Sequence, residues 1–231
     1  MNRQQAGSAV AYAVIRTVLG GVFRVVWRPQ IEGVEHVPAD GAVIVASNHL
    51  SFIDSIVIPL AVPHRRVTFL AKSDYFTGGG LLGWPRRLFF RGMGAVPVDR
   101  GERRDAQAVL DAALMVLGRG WALGVYPEGT RSRDGRLYRG RTGIGWLALE
   151  AGVPVVPVGL TGTDRVQPVG ARFPRVRRVQ VRFGQPIHPQ AYSDCARGEA
   201  RRRLTDDVMD AVATLSGQQR AGGYNVHEPD A

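Results

Sequence analysis

Short apolar runs that end abruptly in polar clusters constrain this chain most. Ala42-Val43-Ile44-Val45-Ala46 has the pattern of a buried strand and passes directly into Ser47-Asn48-His49. Ala122-Leu123-Gly124-Val125-Tyr126 repeats the arrangement and leads straight into Pro127-Glu128-Gly129-Thr130-Arg131-Ser132. Val67-Thr68-Phe69-Leu70, Ala95-Val96-Pro97-Val98 and the run from Val155 to Leu160 add further extended pieces. Between them, Ser51 to Leu60 (bounded by Pro63), Arg104 to Leu117 and Gly143 to Ala151 carry helical patterning. This β/α alternation predicts an α/β fold, with a mainly parallel or mixed sheet and helices on its faces. Loops at the carboxyl ends of such strands gather into one crevice, so the two polar clusters are expected to meet.

The 231 residues suit one large domain, expected over residues 30–216. Within it, Val176 to Phe183 alternates into a late strand with one wet face, and Gly198 to Leu215 forms a final amphipathic helix. Residues 217–231 lose periodicity and gain Gly, Gln and Pro, which predicts a disordered tail. Residues 1–29 predict an amphipathic helix that contacts a membrane, the competing reading being a helix that packs its apolar side on the domain. At about 100° per residue Arg16, Thr17, Arg24 and Arg28 share one sector, leaving Val10, Val14, Val18, Phe23 and Val26 around the rest. The apolar residues there are interrupted by Arg16 and Gly20-Gly21, so neither a secretory signal nor a simple span is expected. The segment from Leu81 to Arg91 mixes large apolar residues with arginines and could anchor in lipid headgroups.

Thirty Lys and Arg against 20 Asp and Glu give a formal charge of +10, and Lys72 is the only lysine. Such a surplus suits nucleic acid, an anionic membrane surface or a phosphorylated substrate, and arginine's planar fork fits phosphate. The Arg-rich segments 172–182 and 197–203 lack interleaved stacking aromatics, so no nucleic acid partner is expected. One cysteine, Cys195, excludes an internal disulfide and any multi-cysteine metal site. The histidines lack ligand spacing, and no metal is expected.

His49 precedes Asp54 by five residues across a strand-to-helix turn, close enough for the carboxylate to accept a hydrogen bond from one ring nitrogen. That bond would fix the tautomer and leave the second nitrogen to take a proton from a substrate hydroxyl. The same spacing alone would equally fit a helix-capping carboxylate beside a satisfied histidine. In the loop after the second strand, Gly129 would let a ligand approach the backbone while Thr130 and Arg131 offer donors, which suits an anion. A plain β-turn with a solvated arginine is the competing reading there.

Taken in order, four segments resemble the lysophosphatidic acid acyltransferase family of glycerolipid acyltransferases. They are Asn48 to Asp54, Gly94 to Arg100, Tyr126 to Ser132, and Val153 to Val158. The similarity covers most of residues 30–190, so 30–216 is expected to be an acyltransferase domain. The resemblance implies that His49 is a general base oriented by Asp54 and that a lysophosphatidic acid hydroxyl attacks an acyl thioester. The donor would be acyl-CoA or acyl-ACP, the product phosphatidic acid, with no covalent acyl-enzyme and no cofactor. It also implies acceptor binding by Arg100, Glu128, Gly129, Thr130 and Arg131, and a shaping role for Pro154 and Pro157. Backbone amides near Gly129 or Ser51 are candidates for stabilising the oxyanion.

The chain departs from the family pattern at Tyr126, where Phe is usual, and at Leu137-Tyr138-Arg139-Gly140-Arg141, where many members carry Phe-Lys-Lys-Gly. The resemblance and the basic surplus together imply a lysophospholipid and an anionic membrane surface as partners, with a peripheral or monotopic placement on the cytoplasmic face. Three alternatives stay open at this point: the same chemistry on another lipid or glycolipid hydroxyl, a non-catalytic basic membrane-binding protein, and a hydrolase in which His49 activates water.

Overall fold

The computed structural model describes residues 16–72, 95–98, 103–168, 170–171 and 173–226. Helical residues 16–22 run into a π-helical turn, Phe23–Trp27, and together form α1. There follow β1 (Gln30–Glu32), β2 (Val43–Ser47), α2 (Asp54–Ala61), β3 (Val67–Lys72), β4 (Val96–Val98), α3 (Arg103–Gly118) and β5 (Ala122–Val125). The chain continues through α4 (Gly143–Ala151), β6 (Val155–Thr161), the one-turn α5 (Thr163–Val166), β7 (Gln180–Phe183) and α6 (Arg197–Ser216).

Among the described residues the strands form one seven-stranded sheet in the order β1-β7-β6-β2-β5-β3-β4. Every pairing is parallel except β6 with β7. The expectation of a mainly parallel, mixed α/β sheet is met. All five residues of β2 are buried, because the sheet is covered on both sides. Val43 and Val45 join Val156 and Val158 of β6 in a layer with Phe23 of α1 and Val57 and Ile58 of α2. Ile44 and Ala46 point the other way, into a layer with α3, α4 and α6 that includes Val116, Leu147, Leu204 and Val208. Each fully buried aliphatic side chain of this kind contributes about 1.5–3 kcal/mol through removal from water.

Several boundaries depart from the sequence-based expectations. The helix after β2 begins at Asp54 rather than Ser51, because the amides of Leu50 and Ser51 turn inward to the Asp54 carboxylate. The last strand is only Gln180–Phe183; residues 173–178 before it are exposed.

The disordered tail expected for 217–231 is corrected over 217–226. Gly217 caps α6 in the left-handed region, with φ +70° and its N–H on Ala213 O at 2.8 Å. The chain then folds back along Leu137, which donates to Gln219 O at 2.9 Å and accepts from Ala221 N at 2.9 Å. Arg139 N donates to Gly223 O at 2.7 Å. Backbone pairing to a distant loop orders this segment, a cause that side-chain periodicity does not register.

In α1, Leu19, Phe23 and Trp27 pack on the domain. Arg16 also turns inward, donating to the carbonyls of Val62 and Arg65, whereas Val18, Val22, Val25 and Val26 are exposed. The polar sector expected to face outward is thus partly spent on bracing the helix. Residues 1–15 and the segment Leu81 to Arg91 lie outside the described residues. Among the described residues no helix is long and apolar enough to cross a membrane.

Candidate active site

The parallel pairing of β2 with β5 sets Ala46 beside Val125, so the loops leaving the two strands start side by side. His49 Nδ1 lies 2.9 Å from Asp54 Oδ2. The same oxygen accepts from Leu50 N at 2.7 Å and Ser51 N at 2.8 Å. With two backbone N–H groups already on that oxygen, His49 is placed to donate to it from Nδ1, which leaves Nε2 as the other ring nitrogen. Asp54 is fully buried, whereas the His49 side chain keeps 16% of its surface exposed. The ring is therefore held through one nitrogen while part of its surface stays exposed.

The second loop supports His49 from below and beside. Glu128 is fully buried; its Oε1 accepts from His49 N at 3.0 Å and its Oε2 from Tyr138 N at 2.9 Å. Burial pushes its carboxyl up to about 7, against the pull of the two backbone donors, with Asp54 and Asp134 adding to the rise. Ser132 N donates to His49 O at 2.7 Å, tying the two loops together a second time. The Tyr126 ring stacks on the His49 imidazole with centroids 3.8 Å apart and planes 7° from parallel. Its hydroxyl is paired with Ser55 Oγ at 2.8 Å, and Phe69 stacks behind it at 5.2 Å. Burial, then the Asp54 charge, push the phenol well above its usual value, so Tyr126 is a neutral wall of the site.

Asn48 anchors the motif to the sheet. Its Nδ2 donates to Leu160 O at 2.9 Å and its Oδ1 accepts from Leu160 N at 2.8 Å, a two-way clamp onto β6. Nδ2 also donates to Gln218 Oε1 at 2.7 Å, and Gln218 Nε2 reaches Gly135 O at 2.7 Å. The tail closes on the second loop again at Asn225, whose Nδ2 donates to Arg131 O at 3.1 Å and whose carbonyl accepts from Arg141 at 3.2 Å.

His49 and Asp54 are thus brought together as the spacing requires. Glu128 is not an open acceptor-binding group: with no exposed surface and both oxygens engaged, it positions the His49 backbone. Gly129 is exposed at φ +83°, and a Cβ there would come within 2.9 Å of Arg141 Nε, so glycine leaves the guanidinium its place beside the loop. Thr130 and Arg131 are half-buried in the same loop. Arg100 lies outside the described residues.

The amides of Ser51 and Gly129 are already committed, to Asp54 and to Tyr126 O at 3.0 Å, which removes both as oxyanion donors in this arrangement. Pro154 sits before β6, where its carbonyl accepts from Ile44 N, at the end of the sheet away from Asn48. Pro157 is inside β6, paired with Ala46, so neither proline lines the site. Sequence reasoning misses the roles that Tyr126, Asn48 and Gln218 have here. The first two sit inside the motif blocks; Gln218 carries no signal.

Among the described residues no group of three or more His, Cys, Asp or Glu side chains is placed to hold a metal ion. The shallow hollow lined by Asp40, Arg65, Thr68 and Trp121 lies at the opposite end of β3 and β5 from the motif.

Comparison with known proteins places the chain among acyltransferases. The family model described as Acyltransferase matches residues 28–161. The chloroplastic 1-acyl-sn-glycerol-3-phosphate acyltransferase LPAT1 of Arabidopsis thaliana is 32% identical over 184 residues, 79% of this chain and 49% of that protein. The 1-acyl-sn-glycerol-3-phosphate acyltransferase of Bacillus subtilis is 23% identical over 90% of this chain and 94% of its own. The chain spans about half the length of the chloroplastic relatives it matches. Among solved structures, the 1-acyl-sn-glycerophosphate acyltransferase PlsC from Thermotoga maritima superposes with a TM-score of 0.70 at 27% identity, covering 93% of this chain and 83% of that one. A match over more than half its length, with the motif residues joined in one site, identifies this chain as a member of the acyltransferase family.

Proposed function

We propose that the chain transfers a fatty acyl group from an acyl thioester of coenzyme A or acyl carrier protein to the free hydroxyl of lysophosphatidic acid, yielding phosphatidic acid. The carrying observation is the His49 Nδ1 to Asp54 Oδ2 bond of 2.9 Å, which leaves Nε2 as the ring's proton acceptor. Nε2 takes the hydroxyl proton as the acceptor oxygen attacks the thioester carbonyl. The resulting tetrahedral oxyanion collapses, the carbon–sulfur bond breaks, and the proton held on Nε2 passes to the departing sulfur. No enzyme nucleophile is needed. Arg131 and Thr130, with Arg100, are assigned to the acceptor's phosphate, and Gly129 to keeping the loop open to it.

The names of the relatives support the acceptor and product, and the basic surplus supports an anionic membrane surface as the place of work. We assign residues 1–29 to membrane contact and residues 30–216 to catalysis, with the enzyme peripheral or monotopic on the cytoplasmic face. The test is an assay of purified protein with acyl-CoA and acyl-ACP across lysophospholipid acceptors. Lysophosphatidic acid is expected to be converted, with free fatty acid formed only slowly when acceptor is withheld. Full activity in His49→Ala, or fatty acid release indifferent to acceptor, overturns the reading.

A further inference from the structure

We propose that the loop of residues 173–178 is a second membrane-docking element, which inserts Phe173 and Val176 into the headgroup–acyl boundary of an anionic bilayer beside the active site. The inference rests on the proposed lipid acceptor and deepens it by naming the surface that meets the bilayer. All six residues, Phe173-Pro174-Arg175-Val176-Arg177-Arg178, are exposed. Phe173 is 80% exposed and Val176 61% exposed, a costly placement in water for two apolar side chains in one short loop. Three exposed arginines are interleaved with them, the composition of a segment that buries apolar side chains while its cations meet phosphate headgroups.

The position of the loop follows from the sheet. Strand β6 ends at Thr161, which is paired with Gln180, the first residue of the antiparallel β7. The connection between them therefore lies at the carboxyl edge of β2 and β6, where Asn48 and His49 sit. Backbone hydrogen bonding fixes it there: Arg175 N donates to Val166 O at 2.7 Å. Ser51 Oγ, within the catalytic motif, donates to Gln167 O at 2.7 Å. Trp27 Nε1 donates to Arg175 O at 2.9 Å, joining the loop to the end of α1.

That helix presents its own outward apolar stripe, with Val25 72% exposed alongside Val18 and Val22, and with exposed Arg24 and Arg28. The Trp27–Arg175 hydrogen bond sets the loop against the end of this arginine-bearing helix. An anionic bilayer matches both the apolar and the cationic parts, and it carries the acceptor.

The test uses the full chain and two variants, Phe173→Ser/Val176→Ser and Arg175→Gln/Arg177→Gln/Arg178→Gln. Co-sedimentation with vesicles of phosphatidylcholine alone, or mixed with phosphatidylglycerol, reads binding. A third variant, Phe173→Trp, reads insertion through quenching of its added fluorescence by brominated lipid, relative to the parent chain. Each multiple variant is expected to lose about tenfold or more of its binding to anionic vesicles. Turnover of acceptor embedded in vesicles should fall with it, while turnover of a dispersed short-chain acceptor is unchanged. Wild-type binding by both multiple variants, or fluorescence of the Phe173→Trp variant that is indifferent to vesicles, overturns the proposal and leaves a protein partner for this surface. If the loop variants lose vesicle binding but the wild type acylates neither acceptor, the docking surface stands and the proposed reaction falls.

Discussion

Three N–H groups converge on Asp54 Oδ2, and that convergence fixes what each substitution at the pair should do. His49→Ala removes the proposed base and should lower kcat by about 10²–10⁴-fold with the fold intact, as steady-state kinetics beside circular dichroism would show. Asp54→Asn keeps the size, but wherever its amide turns toward Oδ2's position it sets a donor against three donors. Its expected effects are a comparable fall in kcat and a lowered Tm. Glu128 predicts differently because it is buried with both oxygens engaged by backbone donors. In Glu128→Gln one backbone N–H, of His49 or Tyr138, faces an NH2 group, at a cost of about 1–3 kcal/mol in unfolding free energy.

The Glu128 carboxyl also ties stability to pH. Its folded value of about 7 lies above the ordinary 4.5, so its stabilising contribution is complete below the ordinary value and is lost as pH rises through the folded one. Thermal melts from about pH 5 to about pH 8 should therefore show the wild-type Tm declining relative to that of Glu128→Gln. A parallel pair of pH profiles would refute the assignment.

At the scale of elements, the strands were readable because Val and Ile runs bounded by Gly and Pro have few other uses, and β2, β5 and β6 fell where those runs lie. The meeting of the two polar loops was readable too, since parallel strands send their carboxyl ends the same way. The start of α2 was not, because it depends on Asp54 gathering amides that a helix from Ser51 would have used otherwise. Nor was the aromatic column Phe69–Tyr126–His49, which needs the β3–β5 register before the rings can be seen to stack.

Gly124 makes that column possible. A Cβ on it would fall 2.2 Å from Phe69 Cζ, inside the ring's own volume. Gly124→Ala should displace Phe69 and, through Tyr126, loosen the His49 ring, costing about 1–3 kcal/mol of stability. A fall in kcat that exceeds any change in KM would show the column positions the base; unchanged kcat would reduce it to packing.

Across the whole molecule, charge and shape divide the work. The +10 surplus is carried by arginine, and long-range attraction to an anionic surface is screened within about 10 Å at 0.1 M salt. Vesicle binding should therefore weaken as salt rises but level off where apolar insertion remains, and co-sedimentation across ionic strengths would display the plateau.

The hydrogen bond from Asn48 to Gln218 joins residues 170 positions apart, and β1 finds its only described neighbour in β7. During synthesis, then, the motif emerges from the ribosome long before the residues that brace it. The brace on Asn48 can form only once α6 and the segment that follows it are in place. A chain stalled before that segment would carry every motif residue and still lack the brace that Gln218 gives Asn48.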